Sequence, residues 1–247
     1  MITFLEIGKY GRLGNSMFQI AGTIGLAQKM GYDYAFPEWI NYDSRDKFGY
    51  TEDANIQRWF KNPLPRLEEY KFNIYHINWG YHNISVPDNV SLKGHMQSEK
   101  YFKHCSDLIR YYFEFKPLPH DIKENSIALH IRCGDYGGDY HPICPEEYYR
   151  AALDLFPSDY TVYVFSDEPE VAKHILKGDY IYMEGNHTME DLYYMTKCDN
   201  HIIANSSYSW WGAWLAQGKR VVAPKRWFGH LARLVTDDIY CIGWEII

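Results

Sequence analysis

Positive charge is scarce in this chain. Its 25 Lys and Arg stand against 32 Asp and Glu, a formal net charge of -7 over 247 residues. No stretch gathers the cations that duplex phosphates demand, which argues against a duplex-DNA binder, and no nucleic-acid partner is expected. An apolar run of the roughly 20 residues needed to span a membrane is also missing, and the longest candidate, Ile20 to Ala27, is amphipathic. The opening MITFLEIGKYGRLGN has no basic segment ahead of an apolar one, so a strand and a loop are expected there in place of a signal peptide. Five cysteines (105, 133, 144, 198, 241) are odd in number and form no C-x-x-C pair. Neither a disulfide framework nor a zinc ribbon is therefore signalled, and a reducing cytosol fits. The sequons at Asn83, Asn186 and Asn205 are then not expected to meet a glycosylation machinery. Neither an internal repeat nor a low-complexity segment is present, and no Asp-x-Asp tripeptide of the kind metal-dependent sugar transferases carry.

What is present is ordinary core material, 46% hydrophobic, with an aromatic share of 17% that includes 23 tyrosines and 8 tryptophans. The length suits two lobes. Residues 2–7 (ITFLEI) read as a strand, 8–15 as a glycine-punctuated loop, 16–30 as a helix and 34–36 as a strand: a βαβ opening. Ser98 starts a further helix with an N-cap and an early acid. The stretch FKPLPHDIKENS, residues 115–126, has two prolines and little for a core, and is the expected linker between lobes 1–114 and 127–247. Beyond it strands alternate with helices: IALHI, PEEYYRAALDLF, YTVYVF, a helix from Glu168, DYIYM, TMEDLYYMTK, HIIA, YSWWGAWLA, RVVAP. Thr188 to Asp191 forms a T-x-x-D box expected to cap its helix. The fold class is therefore α/β, two Rossmann-like lobes, with the ligand past the carboxyl strand ends of the second.

That rule selects residues. His130 and Arg132 lie two apart on one strand and share a face, with Ile131 turned to the opposite layer. Arg132 offers an anion a planar fork of donors, or else pairs with Asp135 in a structural loop. Ser206, Ser207 and the first amides of the helix opening near Tyr208, after the strand-ending Asn205, form an anion cradle, or else simply cap the helix. Asp167, after Ser166, can accept from a guanine or a ribose hydroxyl. Asp135, Asp139 and His141 together can imitate a metal site, which activity in EDTA would exclude. In the first lobe Gly8, Gly11 and Gly14 fail the G-x-G-x-x-G spacing and lack a P-loop lysine, which disfavours a dinucleotide site. The loop instead brings Arg12 and Asn15 toward a cleft between lobes.

The segments GRLGNSMFQIA, GHMQSEKYF, LHIRCGDY, YVFSDE and DLYYMTKCDNHIIANSSYSWWGAWLA, in this order, resemble the α-1,2-fucosyltransferase family of bacteria, animals and some viruses, from residue 11 to about 228. The resemblance implies an inverting, metal-independent, cofactor-free transferase of GT-B type, moving L-fucose from GDP-fucose to a hydroxyl of an oligosaccharide acceptor, galactose O2 first. It implies that His130 and Asp167 contact guanosine, Arg132 the pyrophosphate, and Ser206, Ser207 and the Tyr208 amide the distal phosphate, with Ser166 and Asn205 completing the donor set. Trp210, Trp211 and Trp214 are expected to pack the helix that holds the phosphates. Asp135, adjacent to the donor motif, is the candidate base; alternatively Asn15 or Arg12 orients the acceptor while the departing phosphate receives the proton. The chain departs from the family at Cys133 (usually a second arginine), Ser16 (usually glutamine) and His95-Met96 (usually an aromatic pair), and without an anchor and stem it implies a cytoplasmic bacterial or viral enzyme. A non-catalytic carbohydrate- or nucleotide-binding protein, or a transferase with another GDP-sugar or a protein acceptor, is the alternative.

Overall fold

The computed structural model describes residues 1–40, 55–68 and 71–247. The chain divides into two compact units, Met1–Pro117 with Val235–Cys241, and Leu118–Leu234 with Ile242–Ile247. The stretch expected as a linker is therefore shared out. Phe115 packs on Phe60 (ring centroids 4.9 Å) in the first unit. Ile122 packs on the Ala128–Phe165 cluster of the second. Val235–Cys241, counted above with the second lobe, belongs to the first unit, where Lys100 pairs with Asp238 and Trp79 Nε1 donates to Val235 O at 2.7 Å.

The first unit holds a three-stranded parallel sheet in the order β1-β3-β2, with β1 Ile2–Thr3, β2 Asn73–His76 and β3 Val90–Lys93. Strand β1 is shorter than the expected 2–7 because Lys9 and Tyr10 both return their N–H to Glu6 O, winding the segment into a turn. Helix α1, Leu13–Met30, starts earlier than 16, since Ser16 N already closes on Arg12 O at 3.0 Å. Its glycines permit close approach: a Cβ on Gly25 would stand 2.1 Å from Tyr101 O. Gly31, at φ 69, ends the helix by donating to Ala27 O. The segment after Ser98 is two short 3-10 turns before α2, Ser106–Tyr112, and Ser98 caps the first of them.

The second unit carries β4 Ser126–Ile131, α3 Glu146–Leu153, β5 Thr161–Ser166, α4 Pro169–Ile175, β6 Ile181–Tyr182, α5 Thr188–Met195, β7 Asn200–Ile202, α6 Ser207–Ala216, β8 Arg220–Ala223 and β9 Glu245–Ile246. All six strands are parallel, in the order β6-β5-β4-β7-β8-β9. Strand β4 is buried along its whole length. Ile127, Leu129, Ile131 and Cys133 enter one core layer, and Ala128 the other with Tyr163 and Phe165. This alternation puts His130 and Arg132 on the face shared with Ala128. The T-x-x-D cap expected at Thr188 is displaced by one residue. His187 is the N-cap, its Nδ1 accepting from Met189 N at 3.1 Å while Glu190 accepts from His187 N at 2.7 Å.

Candidate functional site

Strand β4 sits at the centre of its sheet. The chain adds β5 and β6 on one side, then returns to add β7, β8 and β9 on the other. Loops leaving β4 and β7 therefore diverge, and a reversal of this kind leaves a crevice beyond the carboxyl ends of the two strands. Registers fix what lines it. Ile131 pairs with Ser166 and Leu129 with Ile202, so Arg132 comes level with Asp167 on one flank and with the Asn205 corner on the other.

Arg132 Nη1 lies 2.8 Å from Asp167 Oδ2 and Nη2 lies 2.6 Å from Asp135 Oδ1, with the side chain only 14% exposed. Asp167 Oδ1 accepts from Cys133 N at 2.9 Å, so both of its oxygens are engaged. Gly134 permits this closeness, because a Cβ there would stand 2.1 Å from Asp167 Oδ2. The Cys133 side chain joins the core layer of Ile127, Leu129 and Ile131, so an arginine in its place would have to be accommodated among apolar groups. Ser166 Oγ accepts from Glu168 N at 3.1 Å and shapes the turn into α4.

His130 is 4% exposed, its ring 5.5 Å from that of Tyr208, and its Nδ1 is buried with no hydrogen-bond partner. Burial, then the nearby Arg132 charge, push its pKa down to about 3, so the ring is neutral. Ser206 is the N-cap of α6, its Oγ accepting from Tyr208 N at 3.3 Å. The simple capping role therefore holds for this hydroxyl. Ser207 opens the helix, and the positive end of the helix dipole lies at this rim. Trp210, Trp211 and Trp214 are buried and pack on one another, anchoring α6. Asn205, 1% exposed, spends its amide inside the protein. Its Nδ2 donates to Pro142 O at 3.0 Å and Trp227 O at 2.9 Å, and its Oδ1 accepts from Cys144 Sγ at 3.3 Å. It staples two rim loops to the end of β7.

Asp191 is a residue that sequence reasoning missed. It takes a hydrogen bond from Asn186 Nδ2 at 2.9 Å. Burial raises its pKa from 3.8 to about 7. The Tyr208 phenol, which donates to Thr188 O at 2.6 Å, lies in the fields of both Asp191 and Arg132. The sequence carries a signal for it, the acid of the T-x-x-D box, but that pattern by itself points to a helix cap.

Arg12 and Asn15 belong to the first unit. Arg12 immediately precedes α1, and Asn15 Oδ1 accepts from Gln97 Nε2 at 2.5 Å. Ser16 is buried, accepting from Gly8 N at 3.3 Å. Nearby His95 stacks on Tyr10 at 4.8 Å, and Met96 packs on Gly22. Asp135 faces Arg132 and His141 stacks on Tyr136. Among the described residues no three His, Cys, Asp or Glu side chains group to hold a metal ion, and no helix is long and apolar enough to cross a membrane.

Residues 3–247 match the description "Glycosyl transferase family 11". An α-1,2-colitosyltransferase of Escherichia coli is 33% identical, the match covering 59% of each chain. The O-antigen biosynthesis glycosyltransferase WbnK of Escherichia coli is 37% identical over 46% of this chain and 43% of its own. The chain thus spans about half the length of these relatives. Among solved structures, the fucosyltransferase NodZ from Bradyrhizobium superposes with a TM-score of 0.52 at 13% identity, covering 89% of this chain and 94% of that one. At that identity the likeness shows the fold, which is of GT-B type.

Proposed function

Since this chain belongs to glycosyl transferase family 11, we propose that it transfers L-fucose from GDP-fucose to a glycan hydroxyl, galactose O2 first, with inversion and without a metal. The observation that carries this reading is the placement of Arg132 at the end of β4, level across the strand reversal with the start of α6. A guanidinium and a helix N-terminus at one crevice suit a diphosphate. Breaking the sugar C1–O bond leaves a further charge on the nucleotide, and fixed donors in a site shielded from water stabilise that charge as it develops. At the far end of the donor, the neutral His130 ring and the Asp191 carboxylate suit a purine. An ionised carboxylate accepts both the N1–H and the amino group of guanine, which favours GDP over ADP or UDP. Asp167 is engaged by Arg132 and Cys133 N, so it orients the arginine and leaves the base to Asp191. Asp135 is the candidate base. A diphosphate that takes over Arg132 would release this carboxylate beside the reacting centre, where it can accept the acceptor's proton.

Purified protein incubated with GDP-fucose and a panel of β-galactosides in EDTA is expected to give an α-1,2-fucosylated product, identified by NMR of the linkage. The absence of both transfer and slow release of GDP would overturn the reading. Similarity to a colitosyltransferase supports a second reading in which the donor carries colitose. Competing GDP-fucose against GDP-colitose separates the two, because everything else in the site is common to both.

A further inference from the structure

Tyr136 joins the two flanks of the strand reversal. Directly after Arg132 the loop turns back, Tyr136 N donating to Cys133 O at 2.6 Å, and Gly137 closes it by donating to His141 O at 2.9 Å. Gly137 has φ 116, a conformation that side chains rarely adopt. The turn lays the Tyr136 ring against Arg132, whose guanidinium carbon is 5.3 Å from the ring centroid. The Tyr136 hydroxyl donates to Asn205 O at 3.1 Å, the residue ahead of the α6 cap. His141 stacks on the ring at 5.0 Å and 19°. One side chain is thus braced by the loop, stacked on the arginine and tied to the helix corner.

The need for such a brace follows from the arginine's own partners. Arg132 is held by two carboxylates, and of these Asp135 is the more exposed, 36% against 22% for Asp167. An incoming diphosphate must take over the Asp135 side of the guanidinium fork. A guanidinium steered by ion pairs alone would be free to rotate during that exchange, whereas an aromatic face constrains its plane. We infer that Tyr136 is a positioning residue: it holds the Arg132 donors toward the diphosphate and keeps them in register with the Asn205–Ser206 corner. This role rests on the donor reading above.

The test is a double-mutant cycle on GDP binding, measured by calorimetry, with thermal melts of each unliganded variant. Tyr136→Leu is expected to weaken GDP about tenfold, the order of a desolvated cation–π contact. Tyr136→Phe, which keeps the ring on Arg132 and loses the hydroxyl bond to Asn205 O, is expected to recover part of that loss. In an Arg132→Ala background Tyr136→Leu is expected to change GDP binding by less than about twofold. Should Tyr136→Leu fail to fold, Tyr136→Gln removes the ring with a polar side chain and carries the same comparison. Equal losses with and without Arg132, or Phe as damaging as Leu, would overturn the inference while leaving the donor reading intact. Failure of the wild-type protein to bind GDP would overturn both.

Discussion

Asp167 grips Arg132 from the neighbouring strand: Oδ2 lies 2.8 Å from Nη1, while Oδ1 receives Cys133 N at 2.9 Å. One carboxylate therefore fixes both the arginine and the backbone that follows it. Asp167→Ala leaves a largely buried guanidinium and an amide without this acceptor, and is expected to cost about 2–4 kcal/mol in urea denaturation. Asp167→Asn keeps an acceptor for Cys133 N and is expected to cost roughly half as much. Added GDP should restore part of each loss by supplying the missing negative charge. Equal costs for the two variants, with no response to GDP, would show that this carboxylate does not orient the arginine.

Asp135 tests the assignment of the acceptor's base. Removing its charge frees Arg132 for the diphosphate, so Asp135→Asn is expected to bind GDP several-fold more tightly. At the same time kcat should fall by about 10²-fold or more, the usual contribution of a positioned proton acceptor. Calorimetry and initial rates read the two effects separately. A retained kcat would move the base elsewhere.

Asn205 lies in a sequon, yet its side chain is an internal staple. Asn205→Ala removes the amide that donates to the carbonyls of Pro142 and Trp227, at an expected cost of about 2–4 kcal/mol. That corresponds to a fall in Tm of roughly 5–15 °C for a chain of this size. A scan within 2 °C of wild type would contradict the staple.

Asp191 gives a pH dependence with a definite sign. Its folded pKa of about 7 lies above the usual 3.8, so the folded state retains a proton that the unfolded chain has lost. The contribution of Asp191 to stability therefore falls as pH rises from about 4 to 7, and its penalty is complete above that window. Asp191→Asn removes the penalty. Relative to wild type it should gain nothing near pH 4 and about 2–4 kcal/mol by pH 8. The proposed contact with guanine runs the other way, because it would use the ionised form: wild-type affinity for GDP is expected to rise between pH 6 and 8, and that of Asp191→Asn to be weaker and flat. Parallel pH profiles for the two proteins would exclude Asp191 from the base site.

His130 and His201 oppose this trend at low pH. Burial holds them neutral, with pKa values of about 3 and about 4. The unfolded chain binds protons there near 6.5, so their contribution to stability is lost progressively as pH falls below that value. Asp191→Asn should accordingly show a steeper acid loss between pH 6.5 and 4 than wild type, because the compensating carboxylate is gone. Identical slopes in pH-dependent melts would contradict the assignment.

Much of the second unit could be read from its sequence because its strands are buried on both faces. IALHI and YTVYVF are therefore mostly apolar runs, broken only by His130 and Thr161, and the helices between them carry their own start signals. The shared face of His130 and Arg132 followed from strand alternation alone. The first unit was harder: ITFLEI looks like one strand, but the backbone turns at Glu6, where local hydrogen bonds outcompete the ladder. The strand order that places β4 beside β7 is a long-range property with no local signature. The pairing of Asp167 with Arg132 depends on it, since the two residues meet only across neighbouring strands of the folded sheet. The return of Val235–Cys241 to the first unit likewise depends on partners such as Lys100, far away in sequence.

The central claim is that Arg132 and the opening of α6 together grip a nucleotide diphosphate. Isothermal titration of GDP into wild-type protein and Arg132→Ala, with circular dichroism to establish that both are folded, tests it most directly. The expected result is a stoichiometric complex for wild type and an affinity reduced by about 10²-fold in the variant, the scale of losing a bidentate charged contact. Folded Arg132→Ala binding GDP as tightly as wild type would contradict it.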